Sequence, residues 1–240
     1  QCLAFTTAWD GDPVSAFGGV VVFSAPIEDD TVKQLLDNFV DAVVAPGLSM
    51  GCDVLKRLAL KRKKLKAVAI RRFGEVPREL VASVPGGKLV QGSDTSVDDK
   101  LECVTKVAWP SEKNGLAMFG IAVCRALKSN SIAIVREIPG VRGAFQLVGA
   151  GQGQPNRVDA ISRLAIPRAS AVLKAGISEN QCVLVSDAFF PFRDAVDAAA
   201  EAGIKFIVQP GGSIRDKESI EACDQFGIAM VFTGMRHFRH

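Results

Sequence analysis

The sequence predicts an α/β protein whose second half is built on a mainly parallel sheet. Three observations carry this. Between residues 131 and 232, short β-rich apolar runs alternate with helical stretches. Those runs are apolar at successive positions, as strands covered on both faces are. The helical stretches beginning near Asp194 and Asp216 each end at a glycine, Gly203 and Gly227, the residue expected just past a helix C-terminus. A chain of 240 residues suffices for one large domain or two smaller ones with a buried core.

VVVFS (Val20 to Ser24) opens the order of elements as a short strand. TVKQLLDNFVDAVV then places Val32, Leu35, Leu36, Phe39, Val40 and Val43 on one helical face, with Asp29, Asp30 or Thr31 as its cap and APG (Ala45 to Gly47) as its break. A second helix is expected from Asp53 to about Lys61, turning Val54, Leu55 and Leu58 inward, followed by a strand at AVAI (Ala67 to Ile70). QGSDTSVDDK (Gln91 to Lys100) is polar and serves as the expected boundary, giving domains 1–100 and 101–240. Beyond it, residues 111–127 read as a helix and SIAIV (Ser131 to Val135) as a strand. FQLVGA (Phe145 to Ala150) is a strand running into a glycine-rich loop, with a helix from about Asn156. CVLVS, IKFIVQ and IAMVF complete the strands.

Composition narrows the function classes. Hydrophobic residues make up 48% and charged residues 23%, ordinary globular usage, and a net charge of +3 does not by itself point to nucleic acid. The run Lys56 to Arg72 is rich in Lys and Arg but holds no interleaved aromatic before Phe73, so a solvated face is the simpler reading than a polyanion site. LAMFGIAVC (Leu116 to Cys124) is about half as long as a membrane span, and no signal peptide opens the chain. The first residue is Gln1, so the chain is expected to begin inside a longer gene product. The six cysteines show no CxxC spacing and no neighbouring histidine, which argues against zinc; they read as buried thiols of a cytoplasmic protein.

Ligands of such a sheet bind beyond the carboxyl ends of its strands. Four ends are readable: GAGQGQPNRVD, SDAFFPFRD, QPGGSIRD and TGMRHFRH, all expected on one side. Gly211 and Gly212 let backbone approach a ligand, and Ser213 offers a hydroxyl and an N–H near a helix start. Phe189, Phe190 and Phe192 suit a pocket wall as well as a core. Asp194 and Asp216 have an ordinary use as N-caps. Gly149, Gly151 and Gly153 suggest an anion cradle, without the Lys-Ser/Thr of a P-loop. Asn130, in KSNS, is by spacing a turn or cap residue.

These segments, together with KSN, DPVSAFGG and VVAPG upstream, form seven spaced motifs that resemble the AICAR transformylase domain of the bifunctional AICAR transformylase/IMP cyclohydrolase family, in order and from Asp12 to His240. The resemblance implies a cytidine-deaminase-like α/β/α fold present twice, without zinc, and a homodimer with shared active sites. It implies formyl transfer from 10-formyltetrahydrofolate to AICAR ribonucleotide, in purine biosynthesis. On the nucleotide side it implies Gly18, Asp41, Asn130, Arg157, Phe189 and Arg236. Arg236 matches a phosphate contact, and Asn130 an amide at the reacting centre. On the folate side it implies Val158, Pro191, Phe192, Asp194, Ser213 and Ile214, with Asp194 accepting from pterin N–H groups. His240 matches a residue lining a potassium site. No membrane or nucleic-acid partner is implied.

Two departures stand out. GAGQGQPNRV is longer than the commoner GAGQxSRV. The family's KHxNPCG motif, whose Lys-His pair serves the attacking amine, is absent from this chain, as is the IMP cyclohydrolase domain. General base catalysis contributes about 10²–10⁴-fold, so the alternative expectation is a non-catalytic nucleotide- or folate-binding module.

Overall fold

The computed structural model describes residues 1–71, 73–74, 77–95, 100–174 and 182–239. They form two compact units, Gln1–Thr95 and Ser96–His240.

The first unit runs α1 (Cys2–Gly11), α2 (Pro13–Ala16), β1 (Gly19–Val22), α3 (Asp29–Asp37), β2 (Val40–Pro46), α4 (Asp53–Lys61), β3 (Lys66–Ile70), β4 (Glu79–Val84) and β5 (Gly87–Gly92). Asp12 starts α2 by accepting the Ser15 N–H at 3.0 Å, with Pro13 at the first helical position, where a missing N–H costs nothing. β1, β2 and β3 pair in parallel in that order, and β4 and β5 form a separate antiparallel hairpin. One apolar cluster holds the unit: Phe5 from α1, Val32 and Leu35 from α3, Val43 and Ala45 from β2, and Leu58 from α4. Val20 and Val22, alternate to the buried face of β1, are 65% and 54% exposed.

The helix expected through Val43 is cut short. α3 stops at Asp37, Asn38 caps it with its backbone N–H on Gln34 O, and Val40 and Val43 belong to β2. A short apolar run satisfies helical spacing and a buried strand equally well, and here the β-branched valines decide for the strand. α4 spans Asp53 to Lys61 as expected, with Leu58 fully buried.

The second unit contains β6 (Glu102–Cys103), a 3₁₀ turn at Ser111–Lys113, α5 (Asn114–Ala126), β7 (Ile132–Glu137), β8 (Phe145–Gly151), α6 (Arg157–Asp159), a π-helical segment at Ala160–Ala165, α7 (Ile166–Lys174), β9 (Cys182–Ser186), α8 (Asp194–Glu201), β10 (Phe206–Gln209), α9 (Asp216–Phe226) and β11 (Ala229–Phe232). Its sheet has the order β6-β11-β10-β9-β7-β8. Alternate residues face opposite layers. Ile132, Ile134, Leu184, Ile207 and Met230 pack against the helices from α6 to α9, whereas Ala133, Val135, Val183, Val185, Val208 and Val231 pack against α5.

The sheet is mixed, which corrects the expectation of a mainly parallel one. Only β9–β10 and β10–β11 pair in parallel; β6–β11, β7–β8 and β7–β9 are antiparallel. The physical reason is the connection after β7. Residues 138–144 are too few for a crossover, and the Ile138 N–H bonds Ala144 O at 2.8 Å to close a hairpin. Two reversals leave β8 running with β9, β10 and β11. The carboxyl ends of those four strands therefore share one edge of the sheet with the start of β7.

Candidate functional site

Each predicted residue of the second unit except His240 can be placed from this edge. β7 begins at Ile132, which delivers Ser129, Asn130 and Ser131 to the edge; the Ser129–Asn130 peptide bond is cis. Three hydrogen bonds hold the Asn130 amide. Its Nδ2 donates to Gln154 O at 2.9 Å and Pro155 O at 3.2 Å, and its Oδ1 accepts from Arg157 Nη2 at 2.9 Å. Arg157 opens α6 behind Asn156, whose side chain accepts the Asp159 N–H at 2.8 Å as an N-cap. The Arg157 side chain is only 7% exposed. Its Nη1 donates to Phe189 O at 3.1 Å, and its Nη2 also reaches Asp187 Oδ1 at 2.8 Å.

The aromatic trio after β9 divides. Phe190 is fully buried in the core, so it is an anchor and not a pocket wall. Phe189 is partly buried and Phe192 exposed, and each carries a guanidinium: Arg236 lies 5.2 Å from the Phe189 ring centre and Arg215 lies 4.9 Å from that of Phe192. Arg236 is exposed, which leaves its fork available to an anion. The segment carrying it is docked to the edge. The His237 N–H donates to Asp187 O at 2.8 Å, Arg239 N–H donates to Ser129 Oγ at 3.1 Å, and Ser129 N–H returns to Arg239 O at 2.9 Å.

The remaining residues differ more from expectation. Asp194 and Asp216 are the first residues of α8 and α9, not their N-caps, which are Arg193 and Arg215. Asp194 is exposed and accepts the neighbouring Ala195 N–H at 2.8 Å. Asp216 Oδ2 reaches back to the Gly212 and Ser213 N–H groups at 2.7 and 3.1 Å, and Ser213 Oγ accepts from Arg215 N at 3.1 Å. The backbone donors expected to meet a ligand there are thus already paired. Ile214 is fully exposed; Val158 and Pro191 are partly buried. Gly149 and Gly151 lie inside β8, not in an anion cradle. A Cβ there would strike Ala165 O and Ala160 O, so these glycines let the helix backbone press on the strand.

Gly18 and Asp41 lie in the first unit. Gly18 adopts φ +74° and donates its N–H to Phe39 O at 2.8 Å. Phe39 stacks on Phe17 at 4.7 Å and carries Arg62 at 5.5 Å. Asp41, exposed on β2, borders a cavity of about 370 Å³ that Phe39, Arg62, Lys63 and Lys64 also line. His240 lies outside the described residues.

Reading by residue type overlooked Asp187, Ser129, Arg215 and Arg239. An acid directly after an apolar strand was the available signal for Asp187. The thiols are not uniformly buried either. Burial pushes Cys124 and Cys223 up to about 12. Cys103 is exposed, and backbone hydrogen bonds at Ser49 and Leu55 hold the Cys52 thiol below its ordinary value. Among the described residues no helix is long and apolar enough to cross a membrane.

A mixed sheet sandwiched by helices, with amide, guanidinium and aromatic groups collected at one edge, defines an α/β protein with a site suited to a planar anionic ligand. The family model described as AICARFT/IMPCHase bienzyme matches residues 1–168, and the chain belongs to that family. It is 40% identical over 237 residues to the bifunctional purine biosynthesis protein PurH of Aquifex aeolicus, covering 99% of this chain and 44% of that protein. Against proteins of the same description from Lactococcus lactis subsp. cremoris and Clostridium perfringens, identity is 42% over 242 residues and 43% over 237. These alignments cover 99% and 98% of this chain, and 44% and 43% of the relatives. The chain thus spans less than half the length of these relatives.

Proposed function

We propose that this chain forms a formyl-transfer part of a purine-biosynthesis enzyme, binding AICAR ribonucleotide and 10-formyltetrahydrofolate. The observation that carries the reading is the linked set Asn130–Arg157–Phe189–Arg236 at one sheet edge. In it Arg236 grips the phosphate and Phe189 packs on the planar base. The Asn130 amide, held by Arg157, stands where the substrate's 5-amino group meets the formyl carbon. Phe192, Pro191 and Val158 wall the folate side with Ser213 and Ile214, and the exposed Asp194 carboxylate accepts from the pterin. The amine adds to the formyl carbon and gives up one proton, the bond to folate N10 breaks, and N10 takes up a proton to leave as tetrahydrofolate. Gly18 and Asp41 are assigned to the nucleotide. A cytidine-deaminase-like layering of both units, domain limits at 1–100 and 101–240, a homodimer with shared sites and a cytoplasmic location belong to the same reading. A potassium ion lined by His240, which lies outside the described residues, belongs to the same reading.

A second reading is that residues 1–240 bind these ligands without turning them over by themselves, since they hold no KHxNPCG motif. Titration calorimetry with AICAR ribonucleotide, alongside transfer of a radiolabelled formyl group, separates them. Binding with turnover supports transfer, binding alone supports the module, and absence of binding defeats both.

A further inference from the structure

We propose that Arg215 is a further binding residue: its guanidinium takes the carboxylates of the glutamate tail that a folate carries. The proposal rests on the reading above, in which Phe192, Ser213 and Ile214 wall the folate side.

Two arginines stand in corresponding places, each directly before a helix: Arg193 before α8 and Arg215 before α9. Arg193 is taken up within the protein. Its Nε and Nη2 donate to the Asp197 carboxylate at 3.1 and 2.9 Å, and Nη2 also reaches Gln225 Oε1 at 3.4 Å. Arg215 is held far more loosely. Among the described residues its guanidinium meets the Phe192 ring at 4.9 Å and Glu218 Oε1 at 3.9 Å, the latter beyond hydrogen-bond distance. Both partners of that ion pair are about half exposed, where such a contact holds little energy. The Gly212 and Ser213 N–H groups beside it are closed by Asp216 Oδ2. What this loop turns toward an anion is therefore the Arg215 side chain.

Its neighbours define what that anion is attached to. Phe192 is 49% exposed and Ile214 is fully exposed. Arg215 lies over Phe192, which joins the loop after β9 to the loop after β10. Two bare apolar side chains beside a guanidinium suit an aromatic body that ends in a carboxylate. A folate has that form: a pterin, an aminobenzoyl ring, then a glutamate with two carboxylates. The exposed position suits the tail, because the charged end of a ligand stays hydrated while its rings are covered. A guanidinium resting on a ring keeps its planar fork turned outward, and that fork matches a carboxylate with two parallel hydrogen bonds. Glu218 repels the same carboxylates, so the guanidinium must face away from it to bind them.

Two stable ligands separate the tail from the rest: pteroylglutamate, and pteroate, which is the same molecule without its glutamate. Neither carries a formyl group, so binding is read without turnover. Calorimetry on the 240-residue chain compares wild type with two variants. Arg215→Met keeps an apolar side chain on Phe192 and removes the charge. Arg215→Lys keeps the charge and removes the fork. Wild type is expected to prefer pteroylglutamate by about three- to tenfold, the scale of an exposed but bidentate pair. Arg215→Met should lose that preference by weakening pteroylglutamate alone, and Arg215→Lys should keep part of it. The wild-type preference should also shrink as salt rises from about 50 to about 500 mM. Equal weakening of both ligands in Arg215→Met overturns the proposal, because Arg215 then serves the rings or the fold and not the tail. A preference that survives unchanged in Arg215→Met overturns it as well, and leaves the folate reading standing. Wild type that binds neither ligand defeats the folate reading itself, and this proposal with it.

Discussion

The two units use parallel strands differently. In the first, three strands bury one face against α1, α3 and α4 around a single cluster. In the second, a six-stranded sheet has an apolar layer on each side, so alternate residues of β7, β9, β10 and β11 are buried in both directions. Yet β1 and β2 (GVVV and VDAVVAP) are as apolar as the strands of the second unit. An apolar strand states what it can bury, not what covers it. The linked set of candidate site residues lies in the second unit, beside the sheet buried on both faces.

Matched leucines test this contrast most strongly. Leu184→Ala in β9 should cost about 4–5 kcal/mol and Leu35→Ala in α3 about 2–3 kcal/mol, since the better-enclosed site collapses less. Urea denaturation reads both, and the reverse order breaks the comparison. Gly151→Ala comes next. Its methyl meets helix backbone and not a flexible side chain, so about 1–3 kcal/mol is expected, read by thermal melting. Gly86→Ala, in the β4–β5 turn, has open space around it and isolates the cost of φ +83° alone. For binding, Arg236→Ala should weaken AICAR-ribonucleotide affinity by about tenfold or more, with melting temperature unchanged because the side chain is exposed. Asp41→Asn in the first unit should cost only a few-fold by the same calorimetry, and a larger loss there would move the weight of recognition between units.

The smallest effect is chemical. At pH 8 a thiol pushed up to about 12 stays protonated, and the thiolate is the nucleophile. Cys124 and Cys223 should resist a thiol reagent in the native state while Cys52 reacts first. The sign for stability follows: above pH 9 the unfolded chain releases these protons and the folded one keeps them, so stability falls as pH rises. Mass spectrometry of the modified sites and melting at pH 8 and 10 check both statements.

Local pattern revealed much of this architecture and missed what depends on partners. α4 was legible because Val54, Leu55 and Leu58 repeat at helical spacing between a break and a lysine-rich end. The shared edge for four loops was legible from apolar runs followed by polar loops. The end of α3 was not, since Val40 and Val43 fit two periods. Strand direction was misread as mainly parallel, although the Pro-Gly and Gly of residues 138–144 signal the hairpin that reverses β7. Gly149 and Gly151 misled because a glycine admits either a ligand or a helix, and only the fold shows which. The hairpin β4–β5 and helix α1 went unread. Asp187 was invisible as a site residue because its partners, Ser129 and Arg157, lie 58 and 30 residues away.

The pairing of Ser129 with Arg239 spans 110 residues. During synthesis, Asn130 and Arg157 emerge long before the segment that buttresses them. A nascent chain can lay down β7, β8 and β9 and still lack the Arg236 guanidinium and the clasp on Ser129. On the proposed reading, a nucleotide can therefore lend its binding energy to folding only after Arg239 has cleared the ribosome. Until then the half-built edge must survive on core packing alone, which makes it the point at which a pausing or truncated message would leave a folded but ligand-blind product.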